Sequence, residues 1–474
     1  MIRTALAIAA TTLLPILAAH LPYAASADSP VLAQVATTTA AVLSFTTTVA
    51  AIEAMTIDEA VEAVGKMTEE QAVHVFNEMS TAKVVEMMGH IDVVKVSSIW
   101  GDMEPSKAGA VMEDVAIDTA NQIVGLVSEN RLVARLPEVS PQKMWQMPPE
   151  LLHDRMPGVN AMHLNAWTRP QVPEDLPALI PGEATDDRAV YVVPEARSDE
   201  WALLVGSPAP FASIWAKFPR PLDDIQVVLD GFGAVQPAST PDLPAGALAN
   251  SFFSISLGGV APQDVVAAAA IAFVDKSWID SNQIHKWSIQ FSRFDEGLNS
   301  WVSSPSKRIR EDSERLTFAV VVPGFSTFAI TGSRDLPALV FAAEDLRIAP
   351  GSPVEGKPIE VVATISNARS ERAVYPGVLW VDGSIEAART VSVDAGGTSE
   401  LAFAFSRPAG TYSIRLDRQI AEVTVSAPAP PPPATGGLAP TTSLLALAGA
   451  VGLLLVLAGV WLVRDRRPGT GLST

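Results

Sequence analysis

Residues 55 to 150 repeat every twelve positions, and that period restricts what this part of the chain can become. The units read MTIDEAVEAVGK, MTEEQAVHVFNE, MSTAKVVEMMGH, IDVVKVSSIWGD, MEPSKAGAVMED, VAIDTANQIVGL, VSENRLVARLPE and VSPQKMWQMPPE. Each opens on an apolar residue: Met55, Met67, Met79, Ile91, Met103, Val115, Val127 or Val139. Second positions favour helix N-caps, at Thr56, Thr68, Ser80, Asp92, Ser128 and Ser140, and Thr68 with Gln71 has capping-box spacing. Sixth, ninth and tenth positions are mostly apolar, as in Ala72, Val75 and Phe76, or Val84, Met87 and Met88. They fall on one helical stripe. Gly65, Gly89, Gly101 and Gly125 at the eleventh position predict left-handed helix ends. A helix of about two turns is shorter than the roughly 12 to 15 residues at which isolated helices become marginal in water. Stability must come from stacking, which predicts an N-terminal superhelix of short 12-residue helical repeats.

The pattern resembles the N-domain of MgtE-type magnesium transporters. That resemblance implies a superhelix of short helices and, in the family, acidic residues that sense magnesium; no transporter pore follows the repeat here. Asp58, Glu59, Glu62, Glu69 and Glu70 offer oxygen ligands to a hard cation, and they are also the residues expected on solvated faces and first helical turns. His74, His90, His153 and His163 lack zinc-site spacing, and no His-Glu-x-x-His occurs. The Met-rich stripe reads as core filling or as an adaptable binding surface. One last helix is expected within His153 to Asn165, before a connection marked by Pro170, Pro173, Pro177 and Pro181.

From about Ala189 the period changes to alternation. AVYVVPE, DIQVVLDGFG, FFSISLGG, IAFVDKSWI, HKWSIQFSRF and LTFAVVVPGFSTFAITG read as strands bounded by Gly, Pro and Asp, implying an antiparallel sandwich. Residues 251 to 332 resemble the PGF-pre-PGF domain of surface proteins. The matching residues are Phe253-Ser254-Ile255, Ala270 to Val274, Lys276 to Ile279, Ile284, Arg293, Gly297, Trp301 and the closing Pro323-Gly324-Phe325-Ser326-Thr327-Phe328-Ala329-Ile330. Trp278, Trp301, Phe325 and Phe328 are core candidates, with ligand stacking as the other reading. In residues 336 to 425, IEVVATISN, VLWVDG, RTVSVD, ELAFAFS and TYSIRLD read as strands. Trp380-Val381-Asp382-Gly383 marks a hairpin, and the arrangement is similar to CARDB and other Ig-like modules.

The two ends carry the longest apolar runs. Met1 to Ala27 has an early Arg3, an apolar stretch and Ala25-Ser26-Ala27, which reads as a signal peptide, with an uncleaved anchor or a buried helix as the other readings. Leu444 to Val463 is unbroken and apolar, followed by Arg464, Asp465, Arg466 and Arg467; it is long enough to span a bilayer with the basic flank inside. Ser426 to Thr442 is proline-rich and predicts an extended stalk, in which Pro433-Ala434-Thr435-Gly436 lacks the leading Leu of a sortase signal.

The expected order is therefore a signal peptide at 1–27, the helical repeat domain at 28–166 and a Pro-rich connection at 167–188. A PGF-pre-PGF-like β domain at 189–333 and a CARDB/Ig-like β-sandwich at 336–425 follow. The stalk at 426–442, a transmembrane helix at 443–463 and a cytoplasmic tail at 464–474 complete it. The fold class expected is multidomain α + β, with two antiparallel β-sandwich-like domains after the superhelix.

A net charge of -19 disfavours nucleic acid as a partner, and the absence of cysteine excludes thiolate chemistry and disulfide staples. No Gly-x-Ser-x-Gly, phosphate loop or dinucleotide fingerprint occurs. No catalytic, cofactor-binding or metal residues are therefore assigned. The expected function is non-enzymatic: a single-pass plasma-membrane protein with an extracytoplasmic ectodomain at the cell surface, its repeats serving adhesion or interaction with another envelope protein or surface polymer. A divalent-cation-responsive sensor and a surface hydrolase are the alternatives.

Overall fold

The computed structural model describes residues 48–165, 170, 173–185, 187–206, 211–261 and 264–428. The signal peptide, the transmembrane span, the cytoplasmic tail and all but the start of the stalk lie outside the described residues. Among the described residues no helix is long and apolar enough to cross a membrane. N-terminal helices lead into antiparallel β-sheets, and the compact unit that holds them ends at Ser426.

After a helical segment at 48–54 come α1 Ile57–Gly65, α2 Glu69–Glu78, α3 Thr81–Met88, α4 Val93–Asp102, α5 Pro105–Asp114, α6 Ile117–Leu126, α7 Glu129–Arg135 and α8 Pro141–Met144. Thr56 and Thr68 form capping boxes with Glu59 and Gln71, and Ser80, Asp92 and Ser140 cap through their side chains. Ser128 makes no cap bond; its hydroxyl meets Asn130 instead. The spacing shortens once, from the start of α8 to that of α9 Pro149–Arg155, and α10 Ala161–Leu164 follows at the original interval. Where one last helix was expected there are two, because Pro157 and Gly158 interrupt the segment.

The apolar stripe is buried as expected: Val75, Phe76, Val84, Met87 and Met88 are at most 2% exposed, and the Met side chains fill the core. Helices stack in alternation, α1 on α3, α2 on α4, α3 on α5, α4 on α6 and α5 on α7. The eleventh-position glycines do not end helices in the left-handed region; among described residues from 48 to 165 none has a positive φ. Chains leave α2, α4, α5 and α6 through extended residues Met79, Met103, Val115 and Val127. Basic side chains from two units on satisfy the exposed carbonyls. Lys83 donates to Met55 O (2.8 Å), Lys95 to Met67 O (3.3 Å) and Arg155 to Val127 O (2.6 Å), each across 28 residues. Lys107 and Lys143 do the same at Met79 O and Val115 O. A positive charge at a helix C-terminus also opposes its dipole. The glycine that packing does require is Gly109, where a Cβ would lie 2.6 Å from Cβ of Glu138.

The sheets begin with β1 Ile180–Ala184, β2 Arg188–Ala196, β3 Trp201–Gly206, β4 Phe211–Lys217, β5 Leu222–Gly233, β6 Leu248–Gly258 and β7 Ala267–Asp275. After α11 Lys276–Asn282 come β8 Gln290–Asp295, β9 Ser300–Ser304, β10 Ser306–Glu311, β11 Arg315–Val322 and β12 Thr327–Gly332. One sheet has the order β1-β2-β5-β6-β12-β8-β9 and the other β10-β11-β7-β4-β3. Phe253, Phe291, Phe318 and Phe328 lie in a core shared by both sheets. The expected strand IAFVDKSWI stops at Asp275. Trp278 and Ile279 are adjacent in sequence and both meet the core, which helix α11 allows and an alternating strand does not.

The last strands are β13 Phe341–Ala349, β14 Ile359–Asn367, β15 Ala373–Val381, β16 Ser384–Val393, β17 Thr398–Phe405, β18 Gly410–Leu416 and β19 Gln419–Val425. They form the orders β13-β14-β17 and β16-β15-β18-β19 around a second shared core. Asp382 and Gly383, with φ of 49° and 76°, make the two-residue turn between β15 and β16. A further apolar cluster joins Trp215, Ala269, Ile271 and Val321 to Val378, Trp380, Ile385 and Ala388. Strand β7 is thus buried on both faces, which explains its unbroken run AAAAIAFV.

Candidate functional site

Two regions stand out, an outward face of the repeats and the junction behind it. The fourth, eighth and twelfth positions of the units mostly point away from the stacked core, Glu138 at the junction being an exception. Asp58, Glu62, Glu70, Glu78, Glu86, Asp102, Asp114, Asp118 and Glu150 occupy them and are exposed. Lys66 is the lysine at these positions, while the fifth-position lysines are turned inward as carbonyl caps. The division leaves a predominantly acidic outer ribbon. Val94 and Leu126, 62% and 51% exposed, add apolar contacts to it.

At the other end of the stack, the β-sheets close the helical core. Trp287, in the short turn Lys286–Ser288, is 4% exposed, belongs to the helical core cluster and stacks on His163 with ring centres 5.7 Å apart. Around it, Lys286 pairs with Glu138 (2.7 Å) and Glu311 (3.0 Å), and Arg308 pairs with Glu311 (2.6 Å) while donating to Val139 O. Lys276 also reaches Glu311 at 2.7 Å. Burial opposes charge on Glu311, but the hydrogen bond from Lys276 and the charges of Arg308 and Lys286 outweigh it and hold the carboxyl below its ordinary pKa. Arg418, following β18, donates to the carbonyls of His153, Met156 and Pro157, each at 3.0 Å, and to that of Val159. His285 meets Val133 O at 3.3 Å.

The acidic residues weighed as cation ligands are spread along the repeat. Glu59 closes a capping box with Thr56, Glu62 pairs with Lys66 at 2.6 Å, and Glu69 accepts from Ser98. Among the described residues no three His, Asp or Glu side chains converge as a metal cage. His153 bonds Asn165 Oδ1 at 3.0 Å, and His163 lies in the junction. Ser326 Oγ donates to Phe294 O at 2.6 Å, which ties it into the sheet. Phe328 is buried and Trp278 and Phe325 pack on the same core. Trp301 packs on Phe252 and Phe294 and donates its indole N–H to Pro241 O. Asp223 and Asp224 are exposed on β5.

Sequence reading missed the junction. Lys307 and Arg308 look like an exposed basic pair, and the signal available was their place in SKRIRE, a segment too charged to score as a strand. A scan of protein-family models finds no match to this chain, and a search of curated proteins finds none.

Proposed function

We propose that the chain is a single-pass, non-enzymatic cell-envelope protein whose helical superhelix presents its acidic ribbon to a basic protein partner. The observation that carries this reading is the separation of charge by repeat position: lysines inward as caps, carboxylates outward. An extended repeat surface with one sign of charge favours a partner of the opposite sign and speeds encounter at low ionic strength. The two β regions are read as sandwich domains, PGF-pre-PGF-like and CARDB/Ig-like, that carry the superhelix on a proline-rich stalk. The seven-strand division of β13 to β19 into two facing antiparallel sheets supports the Ig-like part of that reading. The apolar segment Leu444 to Val463 would tether the whole to the membrane.

The test has two arms. Protease shaving of intact cells, read with an antibody to residues 55–150, should remove the repeats. Crosslinking of the full-length protein in cells should then capture an envelope protein with a basic surface, and neutralising Glu70, Glu78 and Glu86 to Gln should reduce capture at least tenfold. Protected repeats would defeat the topology, and capture unchanged by neutralisation would defeat the acidic ribbon as the surface.

A further inference from the structure

The junction holds a small cavity that the interaction reading leaves unused. Its volume is about 10 Å³, and Pro141, Met144, His163, Trp287, Lys307 and Arg308 line it. Lys307 is 2% exposed, and its Nζ finds no hydrogen-bond acceptor in the protein; Arg308, 5% exposed, keeps an unpartnered Nε. The ammonium lies 5.5 Å from the centre of the Trp145 ring. A ring face attracts a cation, yet it offers no lone pair to the three N–H donors.

Ion pairing around the cavity passes Lys307 by. Glu311 and Glu138 pair with Lys276, Lys286 and Arg308, and Glu113 adds a negative charge felt by Arg308, so these carboxylates are taken up by cations other than Lys307. Lys307 adds another, and Arg415 contributes like charge from β18. Burial, then Arg415 and Arg308, pushes the Lys307 amine well below its ordinary pKa, so loss of its proton is the competing way to relieve the site. That route leaves the guanidinium charges in place, because arginine does not deprotonate in proteins. A bound negative ion offsets one of these charges and accepts from the free N–H donors of both side chains.

We propose that this cavity is a binding site for one monatomic anion of the halide class, held by Lys307 Nζ and Arg308 Nε against Trp287 and His163. The space is about the size of one water, which favours a single-atom anion over sulfate or phosphate. Since its lining comes from α8, α10, the Trp287 turn and β10, the ion would fasten the helices to the sheets.

The test is thermal unfolding of the full chain in detergent, with chloride exchanged for gluconate at constant ionic strength. The melting temperature is expected to rise by about 1 to 3 °C per tenfold increase in chloride above its dissociation constant. Bromide should replace chloride, and sulfate should not. Lys307→Gln should abolish the halide dependence while Lys66→Gln, on the outer ribbon, preserves it. Equal melting in chloride and gluconate would overturn the site, as would an unchanged halide response in folded Lys307→Gln protein. Should that variant not fold, bromide anomalous scattering from crystals of the unaltered protein decides: a peak in the cavity supports the site, and its absence at saturating bromide overturns it.

Discussion

His163 leaves water when its ring stacks on Trp287, and burial then disfavours the imidazolium, with Lys307, His285 and Arg308 adding like charge. Its pKa falls from 6.5 to about 3. The folded value lies below the unfolded one, so the neutral ring's contribution to stability is complete above about pH 6.5 and is lost as the pH falls toward 3. The ceiling for one proton is about 1.4 kcal/mol per pH unit, reduced by whatever solvent reaches the ring. In urea unfolding between pH 7 and 4, His163→Phe should flatten the decline; an unchanged slope would mean that other groups set it. His153 and His285, also held low chiefly by burial, add to the same trend. None of this was legible in the sequence, where His163 in AMHLNAW carries no mark of burial beneath a tryptophan more than 100 residues away.

Helices in the repeat are terminated by their neighbours. Lys95 Nζ reaches Val64 O (2.9 Å), Gly65 O (3.0 Å) and Met67 O (3.3 Å), so one side chain serves three carbonyls at and just beyond the end of α1. Lys95→Met keeps the apolar stem and removes the donors. It should cost about 1 to 3 kcal/mol in denaturant titration, whereas Lys66→Met on the exposed Glu62 pair should leave the midpoint in place. If the two substitutions cost the same, the inward lysines are not caps. The N-terminal half of each unit was legible, because a cap such as Thr68 and its Gln71 partner lie three residues apart. The C-terminal half was not. A fifth-position lysine acts across 28 residues, and the glycine at position eleven suggested a left-handed ending that the long-range donors make unnecessary.

Across the whole compact unit, each part covers an open surface of another. Trp287 closes the helical stack where a dedicated capping repeat would otherwise be needed. The sheet containing β7 is covered on its second face by Trp380 and Ile385. Trp287→Ala should therefore cost about 3 to 5 kcal/mol and act beyond its own turn. Far-UV circular dichroism at 222 nm should show the helices melting before the β-sheets, in place of a shared transition in the unaltered protein. Helices and sheets still melting together at a lower temperature would show that the plug is not what couples them.

Local periodicity determined the kind of most elements: a twelve-residue recurrence of caps and apolar positions specifies short helices, and alternation with Asp-Gly turns specifies β-hairpins such as β15 to β16, while α11 and β10 escaped it. It also required stacking, since helices this short do not persist alone. Which helix stacks on which, the double burial of β7 and the charged junction at Glu311 depended on the tertiary structure. The stripe that buries Val75 and Phe76 is compatible with several neighbours, and Ala267 to Val274 states only that polar surface is missing there. Lys307 and Arg308 carry the signature of surface residues until helices α8 and α10 close over them. Period is a property of neighbours in sequence, whereas burial is decided by surfaces that meet only after folding.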